Sequence, residues 1–303
     1  MSLSVSIITP SFNSYPYIKE NIDSVLSLGE SVKEHVIFDG GSDDGTVSFL
    51  KDCQSEKLYW VSKPDKGQTD AINKAIEKST GDIIGWLNSD DAYVDDILDE
   101  VIKLFEKRQD IDIIHGDVFI IGQNGETIGI SRGKKINKVD DLLCDNPIKQ
   151  PGLFFRRKII HEIGLLNEGL HYVMDREYWF RALNNKVSFY YTGKPLAKFR
   201  LISGTKTFEN NEKFRLEWIE VLKRNRGRFQ IENSILNKAI RENKGFYHFS
   251  LGQKKIGRKF SFLRENFIAF ILSKKLRYNL GFYKLILLGF LGIKRDRYMK
   301  WRK

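Results

Sequence analysis

GDIIGWLNSDD, residues 81–91, is a short apolar run that ends in a cluster of oxygen-bearing side chains. Ile83, Ile84, Trp86 and Leu87 are too uniformly apolar for a strand with one wet face. The run therefore predicts a strand over 82–87, buried on both sides. Such a strand delivers Asn88, Ser89, Asp90 and Asp91 to its carboxyl end. Closely spaced oxygen ligands suit Mg2+ or Mn2+, which keep waters and bridge to substrate phosphates. The plainer alternative is that Ser89, Asp90 and Asp91 cap the next helix, whose apolar stripe runs through Val94, Ile97, Leu98, Val101, Ile102 and Phe105.

Working outward, the same alternation recurs. Val5–Thr9, His35–Asp39, Leu58–Ser62 and Ile111–Asp117 read as further strands. Helices are predicted around Ile18–Leu26, from Thr46 and over Gln68–Lys78. Strand–helix alternation at this spacing implies an α/β fold with a doubly wound, mainly parallel sheet and helices on both faces. Ligands in such folds sit beyond the carboxyl ends of the strands. That rule singles out Thr9–Asn13, Asp39–Asp44 and Asn88–Asp91.

After Asp117 the pattern changes. Val118–Ile130, centred on Gln123-Asn124-Gly125, predicts a hairpin. Gly152–Phe155, Val187–Tyr191 and Leu196–Leu201 read as sheet; Met174–Leu183, Phe208–Arg226 and Ile231–Asn243 read as helices.

Hydrophobic residues make up 41% and charged residues 29%, the balance of a globular protein with a substantial core. Cys53 and Cys144 have no metal-ligand spacing, which points to a reducing compartment without a disulfide framework. The opening MSLSVSIITPSFN lacks the basic leader of a signal peptide, and no run reaches the roughly 18 apolar residues of a membrane span. No G-x-G-x-x-G follows the first strand and no P-loop motif occurs, which argues against dinucleotide cofactors and P-loop hydrolysis. The net charge of +11 is uneven: residues 244–303 carry sixteen Lys or Arg against Glu265 and Asp296, leaving the rest at −3. In this tail FIAFIL (267–272) and LGFYKLILLGFLGI (280–293) are flanked by KKLR and KRDR. Amphipathic helices lying on an anionic membrane fit that pattern; helices packed on the preceding domain are the alternative. No nucleic-acid module accompanies the basic residues, so no nucleic-acid partner is expected.

Two further segments complete the constellation. In FDGGSDDGT (38–46), Asp39 ends a strand and is suited to accept hydrogen bonds from a base or ribose. In PDKGQTDAINKA (64–75), Asp70 and Asn73 lie one helical turn apart, where they either touch a ligand or face solvent. TPSFN, FDGGSDDGT, DKGQTDAINKA and GWLNSDD, in this order, resemble the donor-site signature of family 2 glycosyltransferases. The likeness continues through HGDV (115–118), QPGLFFRR (150–157) and MDREYWFRA (174–182), covering about residues 4–205.

The resemblance implies a GT-A fold: a domain over 1–205, with a nucleotide-sugar half (1–117) and an acceptor half (118–205). A helical extension follows over 206–303, basic from about residue 244. It implies inverting transfer of one sugar, with Mg2+ or Mn2+, from a nucleoside-diphosphate sugar (UDP-sugar above all) to a glycan or lipid-linked acceptor. Bacterial surface polysaccharide assembly, at the inner face of the membrane from a cytoplasmic location, is the expected setting. Thr9, Pro10 and Ser11 match the segment lining the nucleotide pocket, Asp39 the carboxylate that reads the base, and Asp70 a nucleotide-sugar contact. Asn88-Ser89-Asp90 occupies the D-x-D position with Asn in place of its first aspartate, so Asp90, with Asp91 beside it, carries the metal. Asp175 matches the catalytic base and Glu177 is its rival; Gln150 and Trp179 fall with Glu177 on the acceptor side. Where many relatives have an R-x-H histidine, FRLISGTKT (199–207) has Ile202, and the five histidines offer no obvious substitute; His171, four residues before Asp175, reads as structural rather than as a ligand. The processive-synthase Q-x-x-R-W motif is absent, which favours single addition. Two rivals stand: a sugar nucleotidyltransferase, which would need a basic glycine-rich first loop, and a membrane-associated binding module without turnover.

Overall fold

The computed structural model describes residues 3–202, 210–227, 231–256 and 258–291. They divide into two compact units, Met1–Ile202 and Ser203–Lys303.

In the first unit nine strands form one sheet. These are β1 (Val5–Ser11), β2 (Val32–Asp39), β3 (Leu58–Ser62), β4 (Ile83–Trp86), β5 (Ala92–Tyr93), β6 (Ile113–Ile121), β7 (Thr127–Ser131), β8 (Leu153–Arg156) and β9 (Phe189–Arg200). The order is β3-β2-β1-β4-β8-β6-β9-β5, with β7 paired to β6. The first four are mutually parallel; β6 and β9 are also parallel. Their register sets Ser11 beside Asp39 and Asp39 beside Ser62 at one carboxyl edge. β8 runs antiparallel between β4 and β6 and joins the two parallel blocks.

Seven helices belong to this unit: α1 (Tyr17–Leu26), α2 (Thr46–Asp52), α3 (Gln68–Lys78), α4 (Ile97–Lys107), α5 (Asp140–Cys144), α6 (Lys158–Ile163) and α7 (Met174–Asn184). Val25 and the α4 stripe pack with Val5, Ile7 and Ile83 in one core. Ile18, Ile22 and Leu50 cover Ile37. Strand alternation turns Ile8 to the opposite face, and α3 runs along β1 and β2 with Ile72, Ala75 and Ile76 buried. Full burial of each large aliphatic side chain contributes about 1.5–3 kcal/mol. Gly85 in β4 has no room for a side chain: a Cβ would lie 2.5 Å from the Tyr93 hydroxyl and 2.7 Å from Ile7.

Several boundaries differ from the sequence reading. α4 begins at Ile97 rather than Val94, because the backbone turns left-handed at Asp96 (φ 57°). Val94 instead extends the pairing of β5, donating to Leu196 O at 3.3 Å. The segments expected over 187–191 and 196–201 form one strand, β9, which turns through Gly193 at φ 70°.

The second unit is helical: α8 (Asn211–Arg224), α9 (Asn233–Lys254), α10 (Lys259–Leu272), α11 (Lys274–Arg277) and α12 (Leu280–Phe290). α9 runs eleven residues beyond the expected Asn243 and packs between α8 and α10. Gly245 and Gly252 permit that approach, since a Cβ on either would meet Ser273 or Asn266 at 2.5 Å. The buried Glu242 caps α11 by accepting from Ser273 Oγ (2.6 Å) and Lys274 N (2.9 Å). Burial raises the Glu265 pKa, but bonds from Arg264, His248 and Lys255 outweigh it and bring it down to about 2. No described helix is long and apolar enough to cross a membrane. The start of the predicted helix at Phe208, residues 203–207 of the FRLISGTKT segment, and KRDR lie outside the described residues.

Candidate active site

The carboxyl edge of the sheet begins with β1 and β2. Asp39 is buried and accepts five hydrogen bonds: Ser11 Oγ (3.0 Å), Ser42 Oγ (2.5 Å), Ser62 Oγ (2.7 Å), Gly41 N (3.1 Å) and Ser42 N (2.9 Å). Its carboxylate thus shapes its own loop, helped by Gly41 at φ 85°. Thr9 and Pro10 are buried in β1. The Thr9 hydroxyl faces inward, 2.9 Å from His35 Nε2, a ring whose pKa burial lowers to about 3. The surface after β1 is instead Phe12, 66% exposed, with its ring next to Gly40 and Asp65. A ligand approaching this edge would meet Phe12 rather than the buried Thr9 side chain.

From Ser11 a row of hydroxyls crosses to β4. Ser11 Oγ lies 3.0 Å from Ser14 Oγ, which donates to Ser89 Oγ at 2.8 Å. The neighbouring Asn88 is a junction. Its Oδ1 accepts from Trp86 Nε1 (3.1 Å) and Gln68 Nε2 (3.2 Å), and its Nδ2 donates to Gln150 Oε1 (3.0 Å). An indole N–H can only donate, which fixes the orientation of the Asn88 amide. Gln150 Nε2 in turn donates to Trp86 O at 2.6 Å. An aspartate at 88 has no donor for Gln150, so the asparagine belongs to this network.

Asp91 is fully buried, and its Oδ1 accepts from Arg200 N at 2.9 Å. Burial, and then the charge of Asp90, raise its pKa well above the carboxylate range. Half-buried Asp90 is raised as well, by burial, with Arg200 opposing. The Arg200 side chain lies beneath both acids. Its Nε donates to Asp90 O (2.9 Å), Nη1 to Gly122 O (3.0 Å) and Gln123 O (3.2 Å), and Nη2 to Glu20. Its guanidinium also stacks over Tyr17.

Asp70 accepts from Lys66 N (3.0 Å) and Lys74 Nζ (2.7 Å). Burial raises its pKa, but those bonds prevail and lower it. Asn73 is not solvated. Its amide closes a two-bond clamp on Leu166, donating to the carbonyl and accepting from the N–H, both at 3.0 Å. Thr69 adds a bond to Leu170 O (3.0 Å).

On the acceptor side, Asp175 stands in the first turn of α7. Burial raises its pKa, and Oδ2 accepts from Asn146 Nδ2 at 3.3 Å. Asn146 and Gln150 belong to one short loop, which therefore ties Asp175 to the Asn88 junction. The rival base Glu177 is locked in a two-point ion pair with Arg181, both bonds 3.1 Å. Trp179 does not face an acceptor: it is fully buried and packs edge-on to Phe155 and Tyr178. His171 is exposed, and Ile202 supplies no donor atom. Phe12, Gln68, Asn146 and Arg200, which the motif reading did not assign, also belong to this candidate site.

No group of three or more His, Cys, Asp or Glu side chains able to hold a metal occurs among the described residues. Asp90 is the half-buried carboxylate at the D-x-D position. One carboxylate with waters and donor phosphates is a recognised set for Mg2+ or Mn2+. The residues thus fit an ion that arrives with the donor, not a preformed cage.

The profile described as "Glycosyl transferase family 2" matches residues 6–164. A glycosyltransferase of Rickettsia conorii is 27% identical over 229 residues, 72% of this chain but 38% of the relative. The chain thus spans little more than a third of that relative's length. Bacillus subtilis TuaG, a glycosyltransferase assigned to teichuronic acid biosynthesis, is 26% identical over 209 residues, 66% of this chain and 80% of that protein. Among solved structures, S. aureus TarS 1–349 in complex with UDP-GlcNAc superposes with a TM-score of 0.61 at 17% identity, covering 95% of this chain and 79% of that one. The mannosyltransferase PcManGT from Pyrobaculum calidifontis, in complex with GDP-Man and Mn2+, gives 0.60 at 15% identity, covering 99% and 83%. These structures share the fold, and the profile covers more than half of the chain: it belongs to glycosyl transferase family 2.

Proposed function

We propose that this chain transfers one sugar, with inversion, from a nucleoside-diphosphate sugar to a glycan or lipid-linked acceptor in the assembly of a bacterial surface polysaccharide. The observation that supports the reading is the loop 146–150, whose Asn146 donates to Asp175, a carboxylate with its pKa raised by burial, and whose Gln150 accepts from Asn88. UDP-sugars are the favoured donors, as in the UDP-GlcNAc complex of TarS; TuaG suggests an acidic polysaccharide product. A base stacks on Phe12 while the Asp39 loop meets its edge and the ribose.

Asp175 then takes the proton from the acceptor hydroxyl as that oxygen attacks the anomeric carbon. The bond from that carbon to the diphosphate oxygen breaks, and the nucleoside diphosphate leaves with the electron pair. Asp90 is the residue that would hold a divalent ion, whose charge would offset that of the leaving phosphates. Burial of Asp175 keeps its carboxylate basic enough for the proton transfer.

Thermal melts with UDP and GDP, each with Mn2+, Mg2+ or chelator, test the donor site. A nucleotide at 100 times its Kd adds about 2.7 kcal/mol of stability. Asp90→Ala is expected to lose the metal-dependent part of the shift and keep the metal-independent part. If no nucleoside diphosphate raised the melting temperature, the donor reading would fall. Asn88 and Ile202, which leave few metal ligands, favour a second reading, a binding module without turnover. Turnover by the unaltered chain, the reference for the Asp175 variant below, separates the two.

The helical unit supports a membrane surface as partner. Phe260, Phe267, Tyr278, Leu280, Leu287 and Leu291 are 84%, 65%, 81%, 86%, 61% and 63% exposed. Lys274, Lys275, Arg277 and Lys284 are interleaved with them. Apolar side chains enter the headgroup region while each cation adds about 1 kcal/mol on anionic lipid. Sedimentation with phosphatidylglycerol vesicles is expected to recover the native chain and to lose most of a Phe260→Ser/Tyr278→Ser/Leu280→Ser variant. Equal recovery of both would refute a membrane role for these side chains.

A further inference from the structure

Loop 132–134 is fastened to the acceptor half by its backbone. Gly133 N donates to Asp117 Oδ1 (2.8 Å) and Lys134 N to Pro147 O (3.3 Å). Gly133 fits because it lacks a side chain; a Cβ would lie 2.9 Å from the Tyr191 ring and 3.0 Å from Gly116 O. Arg132 and Lys134 are thereby brought to the segment that carries Lys149, between Asn146, which binds Asp175, and Gln150, which binds Asn88.

These three cations are poorly neutralised. The fully buried Asp117 is already engaged by Gly133 N and by the Tyr191 hydroxyl at 2.6 Å. Arg132 Nη1 reaches its other oxygen only at 3.4 Å, with the arginine side chain 72% exposed. Half-buried Lys149 donates to Asn146 O at 3.5 Å. Among the described residues neither Lys149 nor Lys134 has a carboxylate oxygen within ion-pair distance. Burial and then the charge of Lys134 push the Lys149 ammonium below the usual lysine range, with Asp117 and Asp145 opposing. A half-buried ammonium set against a second one is unfavourable unless an anion joins them.

We propose that Arg132, Lys134 and Lys149 form a subsite for an anionic group of the acceptor, a phosphate or carboxylate carried near the accepting hydroxyl. The inference rests on Asp175 as the base, because Asn146 puts the cluster on that side of the reaction. It narrows the acceptor from any glycan to one bearing negative charge. The donor diphosphate offers the same chemistry from a second source, and the experiment separates them.

The full-length chain is titrated calorimetrically with a short poly(glycerol phosphate), without nucleotide and with UDP or GDP saturating in Mn2+. The oligomer is expected to bind with nucleotide present. Arg132→Ser/Lys134→Ser, both on an exposed loop, is expected to weaken that binding about tenfold or more while leaving nucleotide affinity unchanged. Lys149→Met, checked by its melting temperature, is expected to do the same. Oligomer affinity unchanged in the double variant would overturn the proposal. So would a parallel loss of nucleotide affinity, which would give the cations to the donor diphosphate. A native chain that bound the oligomer but neither nucleotide would defeat the donor reading and leave the anion subsite standing.

Discussion

Asp175→Asn is expected to lower the rate of sugar transfer by about 10²–10⁴-fold, the usual contribution of a positioned general base. Its melting temperature at neutral pH should stay level or rise. The asparagine retains an oxygen to accept from Asn146 but has no basic lone pair for the acceptor proton. The stability expectation follows from the direction of the shift. Burial raises the pKa of Asp175, so the folded chain holds that proton more tightly than the unfolded chain does. Its favourable contribution is complete below the unfolded pKa and is lost as pH rises through the folded one. At neutral pH the half-buried carboxylate is therefore a cost that asparagine removes. For the same reason the acid limb of turnover against pH should lie above the ordinary carboxylate range. An Asp175→Asn enzyme with near-native turnover, in a chain whose native activity is measured in parallel, would remove Asp175 from the role of base.

Arg200→Ala should give the largest loss of stability, about 3–5 kcal/mol, the cost of leaving buried charge without its partner. For a unit of this size that lowers the melting temperature by roughly 10 °C. The guanidinium is 1% exposed and serves three carbonyls and Glu20. It also opposes the upward shifts of Asp90 and Asp91. Arg200→Lys keeps the charge but not the planar fork, so it should recover only part of the loss. Chemical denaturation of the three proteins measures the order directly; an alanine variant within 1 kcal/mol of the native chain would contradict it. Nucleotide affinity in the presence of Mn2+ should fall as well, because Arg200 holds the Asp90 main chain in place.

The sequence was most legible where pattern and packing coincide. Leu58–Ser62 and Gln68–Lys78 have the predicted bounds because turn residues flank each of them; α3 buries the expected Ile72, Ala75 and Ile76 and, beyond that stripe, Thr69, Asp70, Ala71 and Asn73. β5 escaped notice because a two-residue strand has no periodicity. The α4 stripe misled by one turn because Val94 is apolar for a different neighbour, β9. The motif spacing pointed to strand-end loops, but the contacts of the residues in them could not be read from it. Glu177 and Asp175 look equivalent in MDREYW until Arg181, one turn on, claims one of them. Trp179, expected on the acceptor side, is core, because α7 is buried on more than one side. Asn146 and Arg200 act on residues 29 and 110 positions away, a separation at which no local pattern exists.

The Asn73 clamp gives the fold a dimensional property. In the proposed reaction Asp70 serves the donor and Asp175 the acceptor, and α3 is fastened at Leu166 and Leu170 to the chain that leads directly into α7. On that proposal the gap between donor carbon and acceptor oxygen would be a length machined into the protein rather than one negotiated by the substrates. Since a misplacement of about 1 Å can cost on the order of 100-fold in rate, this gauge accepts acceptors by where they put a hydroxyl. Sugars that bind well but seat that oxygen too deep or too shallow are occupants of the site, not reactants.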